Sequence, residues 1–64
     1  MISPKPTREV VKDLRRAGFE PGRTRGSHTR WAHPCGVQVT VPDGHRMISP
    51  GVLRQIQAAI KEAR

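Results

Sequence analysis

In the run RTRGSHTRW, residues 23–31, three arginines surround a Gly-Ser-His corner, and a tryptophan follows. Imidazole takes up and releases a proton near neutral pH, so His28 is a candidate general acid or base. Arg23, Arg25 and Arg30 are spaced to hold a phosphodiester beside it. Guanidinium groups make charge-assisted, forked hydrogen bonds to phosphate and stabilise the charge that grows in a phosphoryl transition state. Gly26 lets the backbone turn tightly and approach a ligand closely. The plainer reading of the same residues is a solvated histidine that only contacts phosphate, and the cluster by itself leaves both open. Ser27 reads as a residue that satisfies backbone donors at the turn. No base with an orienting partner is evident to make it a nucleophile.

The other chemically capable residues point less sharply. His33 and Cys35, taken with His28 and His45, invite a metal reading, but H-x-C lacks the paired spacing of a structural zinc site and no second pair follows. No metal and no small-molecule cofactor is therefore expected. His45, after the Pro42-Asp43-Gly44 turn, is a possible secondary imidazole or phosphate ligand, set against an ordinary loop histidine. Trp31 could stack on a base. In a chain with only two aromatic residues, Phe19 and Trp31, its burial in the core is the stronger expectation.

Sixty-four residues, 34% of them apolar, set the scale on which these groups must be positioned. That is one domain, 1–64, with one small core, near the lower size limit for folding alone. Twelve Lys and Arg stand against five Asp and Glu, a formal net charge of +7, and they are distributed along the chain rather than gathered in a tail. Such a basic body suits a polyanion, most often nucleic acid, or an acidic protein partner. A single cysteine excludes an internal disulfide framework. The opening MISPKPT has no apolar signal core and no run approaches membrane-spanning length, so a cytoplasmic protein without membrane contact is expected.

The positioning elements follow from periodicity. Residues 7–17 place Val10, Val11, Leu14 and Ala17 on one helical face, with Thr7 as N-cap, Glu9 near the start, Arg15 and Arg16 near the end, and Gly18 as the stop. VQVTV, residues 37–41, alternates as a half-buried strand, and residues 27–33 form a weaker strand joined to it by a hairpin at Pro34-Cys35-Gly36. Residues 19–25 supply a third strand in which Pro21-Gly22 must mark an edge, a bend or a bulge. Residues 50–63 form the last helix, with Ser49 as N-cap, Pro50 at the first helical position and Ile48 stapled to Leu53.

Two amphipathic helices need one sheet face to bury against, which leaves the other face open. The architecture expected is α+β, two layers in the order α-β-β-β-α, a three-stranded antiparallel sheet with both helices on one face. Strand parity then assigns the side chains. If Trp31 and the valines face the helices, Thr29 and His33 share that side, whereas His28, Arg30, Gln38 and Thr40 point to the open face.

A wider pattern now becomes visible: a first helix ending in "AGF", an edge strand, "GSH" opening the next strand, a valine strand ending in "VP", a histidine, and "SPGVLRQI" opening the last helix. From about Val10 to Ile60 this resembles the HicA family of toxins. The resemblance implies a fold like that of double-stranded RNA-binding domains. It also implies a metal-independent endoribonuclease that cleaves mRNA, neutralised by an acidic HicB-like antitoxin. The family's active histidine lies in the "GSH" motif and maps onto His28, with Arg23, Arg25, Ser27, Arg30, Gln38 and Thr40 expected to contact RNA. The chain departs from the family where the last strand ends: Pro42-Asp43-Gly44-His45 is one residue longer than the usual Pro-x-His. The competing readings are a non-catalytic RNA-binding module and an inactive toxin homologue acting as a regulator.

Overall fold

The computed structural model describes residues 4–63. In chain order the elements are β1 (Lys5–Pro6), α1 (Thr7–Arg16), β2 (Glu20–Arg25), β3 (His28–Ala32), β4 (Gln38–Val41), β5 (Met47–Ile48) and α2 (Pro50–Glu62). Strands β2, β3 and β4 form an antiparallel sheet in that order, so the α+β expectation with a three-stranded sheet holds. Val10 and Leu14 of α1, Leu53, Ile56 and Ala59 of α2, and Trp31 and Val41 of the sheet share a single buried cluster with Phe19 and Ile48. Both helices therefore cover the sheet face that carries Trp31.

The AGF segment ends α1 by satisfying its last carbonyls. Ala17 is the C-cap and Gly18 turns left-handed at φ +96°. Phe19 N donates to Leu14 O at 2.9 Å and Gly18 N to Arg15 O at 3.1 Å, the paired bonds of a Schellman motif. The same turn delivers Phe19 into the core beside Leu14.

One capping expectation is corrected, and the other holds in position without its side-chain bond. Thr7 is the first helical residue, and Pro6 occupies the N-cap position. The Thr7 hydroxyl donates to the His45 carbonyl and its amide to Arg46 O at 2.9 Å. The cause is a small antiparallel ladder, β1 on β5, with Lys5 opposite Ile48 and Pro6 opposite Met47. That ladder runs straight into the helix, so Thr7 bonds across it instead of back to its own turn. Ser49 does hold the N-cap position of α2, with Pro50 following, but its side chain makes no capping hydrogen bond. Ile48 and Leu53 are both buried in the cluster, as the staple requires.

The Pro21-Gly22 interruption is a bulge, and it decides which side chains reach the open face. Pro21 pairs with Trp31 and Thr24 with Thr29, so both face the helices although three positions separate them on β2 and two on β3. Without the extra residue, a period of two would put Arg23 and Arg25 on Pro21's side. The bulge reverses the parity and carries both arginines to the side of His28. Pro21 sits where an edge strand tolerates a missing donor.

Candidate functional site

Gly26 and Ser27 form the two-residue turn between β2 and β3, with Arg25 and His28 as the flanking pair. Gly26 has φ +60°, and no other residue type in the described chain takes a positive φ. Positive φ at the first central residue alone is the pattern of a type II′ turn, whose twist suits a hairpin and whose first position selects glycine. The Gly-Ser corner thus makes His28 the first residue of β3 and fixes the face to which it points.

The strand parities fall as expected. Thr29 and Trp31 are buried at 4% and 2% exposure, whereas His28, Arg30, Gln38 and Thr40 are exposed. His33 keeps to the helix side, its ring edge-on to Phe19 with centroids 5.2 Å apart. On the open face, Arg23, Arg25, His28, Arg30 and Thr40 line one groove of about 370 Å³. Three cationic groups from two strands converge there on one imidazole, and Thr40 reaches in from the third strand. Gln38 lies on the same face but outside the groove lining.

The imidazole is lightly held. Ser27 Oγ lies 3.3 Å from His28 Nδ1 and is its hydrogen-bond partner among the described residues. The other ring nitrogen is left for a ligand. Such a site can bind an anion between guanidinium groups and place one proton-transfer group against it. Its lining holds no carboxylate, the hard oxygen donor that magnesium and calcium require.

The remaining histidines are elsewhere. The His33 ring accepts from Cys35 N at 3.1 Å through Nδ1, which ties it to the β3–β4 turn. His45 is exposed and contributes its carbonyl to Thr7, and it does not line the groove. Among the described residues no three His, Cys, Asp or Glu side chains gather as metal ligands. No helix there is long and apolar enough to cross a membrane.

One positioning residue was not visible in the sequence. Gly44 N donates to Ser27 O at 2.9 Å, so the loop after β4 braces the Gly-Ser corner from behind. A Cβ on Gly44 would fall 2.5 Å from Ser27 Cβ and 2.8 Å from Ser27 Cα. The one signal for it was the extra residue in Pro42-Asp43-Gly44-His45. Gly44→Ala is therefore expected to push the corner outward, at a cost of about 1–3 kcal/mol for overpacking. Urea midpoints should fall, and the largest amide shifts should be at Ser27 and His28. Unchanged shifts there would mean that the loop yields and the brace is unimportant.

The family model described as the HicA toxin of bacterial toxin–antitoxin systems matches residues 7–64. No curated relative matches the chain.

Proposed function

Because the chain belongs to the HicA toxin family of bacterial toxin–antitoxin systems, we propose that it is an endoribonuclease that cleaves mRNA without a metal ion, held in check by an acidic HicB-like antitoxin. The observation that carries this reading is the convergence of Arg23, Arg25 and Arg30 on His28 in one open groove. A scissile phosphate between the arginines lies within reach of the imidazole.

The chemistry that fits one histidine and several guanidinium groups is attack by the RNA 2′-hydroxyl on its own phosphate. The 2′-oxygen forms a bond to phosphorus and the bond to the 5′-oxygen breaks. The 2′-proton leaves to a base, and the departing 5′-oxygen gains one. His28 performs one of these two transfers and water the other, while the arginines stabilise the phosphorane charge. The products are a 2′,3′-cyclic phosphate and a 5′-hydroxyl.

The test uses the purified protein on single-stranded RNA in excess EDTA. Cleavage should persist, leave cyclic-phosphate ends, and spare the same sequence made as DNA. Activity lost to EDTA and restored by magnesium or zinc would overturn the metal-free mechanism.

A second reading is favoured by the loose hold on His28, whose ring no carboxylate orients among the described residues. The groove then serves as a non-catalytic RNA-binding surface, in a binding module or in an inactive homologue that regulates with its partner. Retention of intact RNA in the same assay separates it from the first.

A further inference from the structure

A second, larger groove of about 770 Å³ lies on the opposite side of the β2–β3 ladder, between α1, β2 and the loop after β4. A hydrogen-bonded chain forms its floor. The Thr24 and Thr29 hydroxyls are 2.9 Å apart, and Thr29 Oγ1 donates to Asp43 Oδ1 at 3.0 Å. Exposed Arg8, Arg15 and Arg46 stand around it. Trp31 forms part of the wall, with the Arg15 guanidinium 5.4 Å above its ring centroid.

The polar groups at this groove are unequally satisfied. The Trp31 indole N–H is fully buried and donates to nothing among the described residues, so it lies behind the groove wall rather than open to an occupant. Asp43 accepts one hydroxyl, and no cation lies within ion-pair distance of it among the described residues. A carboxylate has about four acceptor sites, so most of its capacity is open.

An occupant that suits this groove must carry anionic oxygens for the arginines and N–H donors for Asp43. A nucleotide does so, with phosphate at one end and a base edge at the other. Among the four bases, guanine presents two adjacent donors, ring N1–H and the exocyclic amine, which match the two oxygens of a carboxylate. An acidic peptide would bring its own carboxylates against Asp43, so charge disfavours it.

We propose that this groove is a guanine-selective nucleotide subsite, receiving an RNA residue that flanks the one held at His28. In naming RNA the proposal rests on the endoribonuclease reading above. The connectivity allows one strand to reach both grooves. Thr24–Thr29 and Arg25–His28 are successive cross-strand pairs with opposite faces, and β2 is an edge strand over which a single strand can fold. The open groove holds phosphate, and this one supplies base selectivity.

Trp31 is the sole tryptophan, so its indole N–H gives one resonance that reports on the wall of this groove. The experiment titrates the ¹⁵N-labelled full chain with GMP, AMP, CMP and UMP, and separately with inorganic phosphate and an oligoglutamate peptide. GMP should shift the indole signal saturably, at least about tenfold more tightly than AMP, the scale of one charge-assisted pair. Asp43→Asn keeps an oxygen for Thr29 but replaces the other acceptor with a donor, and should abolish the guanine preference. Arg46→Gln should weaken all four nucleotides alike. Equal response to all four nucleotides, a response to phosphate or peptide in place of GMP, or no response would overturn the proposal. Mononucleotides are not cleaved, so a failure of the nuclease reading at His28 leaves this titration interpretable, and the reverse holds as well.

Discussion

Expression of the His28→Ala protein is expected to leave cells growing where the unaltered chain arrests them. The variant should keep its circular dichroism and its unfolding midpoint. His28 is exposed at the start of β3, and its imidazole makes one long contact, to Ser27 Oγ. Substitutions at such surface positions usually change stability by no more than about 0.5 kcal/mol. Its loss to catalysis is larger by far, because a positioned acid–base group contributes roughly 10²- to 10⁴-fold in rate. The two magnitudes separate the readouts: activity should collapse while stability holds. RNA should still bind, since Arg23, Arg25 and Arg30 keep the groove cationic. A folded His28→Ala protein that arrests growth would show that another group performs the proton transfer.

That experiment is possible because the sequence already shows which way His28 points. The alternation in β4 and the burial demand of Trp31 fix the parity of β3, and the structure keeps it from Thr29 to Trp31. The end of α1 was equally legible, since Gly18-Phe19 carries both the left-handed residue and the apolar residue that a Schellman motif needs. These features are local, and each leaves a pattern within a few residues.

What escaped the sequence is held by long-range contacts between very short segments. The β1–β5 ladder has two residues on each side, too few for any periodicity, and it joins residues more than forty positions apart. It redirected the Thr7 hydroxyl from its own helix to the His45 carbonyl. Pro21-Gly22 in the sequence is compatible with an edge, a bend or a bulge, and the register makes it a bulge. Its consequence, the turning of Arg23 and Arg25 to the open face, follows only from the register against β3. Gly44 against Ser27 and Asp43 against Thr29 come from the same loop, whose extra residue read as a departure from the family pattern. In the structure that loop supports the histidine corner on one side and completes a second groove on the other.

The acidic antitoxin proposed above is expected to displace RNA from the His28→Ala protein completely, because both ligands need the same guanidinium groups. A domain of net charge +7 with three arginines converging in one groove attracts an acidic surface over long range, which speeds encounter and fixes orientation. Covering that groove excludes RNA by occupancy alone, and no change of shape in the toxin is required. Binding also acts on a fold with a small core. A partner present at a thousandfold its Kd adds about 4 kcal/mol to the folded state, which for a domain of this size corresponds to a rise on the order of 20 °C in Tm. The decisive measurement titrates the antitoxin against fluorescently labelled RNA bound to His28→Ala, at several salt concentrations. Occlusion predicts mutual exclusion at every salt, with both affinities falling as ionic strength rises, since exposed charge interactions are screened within about 8–10 Å at physiological salt. Arg30→Ala should weaken both ligands together. A ternary complex of toxin, antitoxin and RNA would place the inhibitory surface elsewhere, and the open groove would then be the site of the nucleic acid alone.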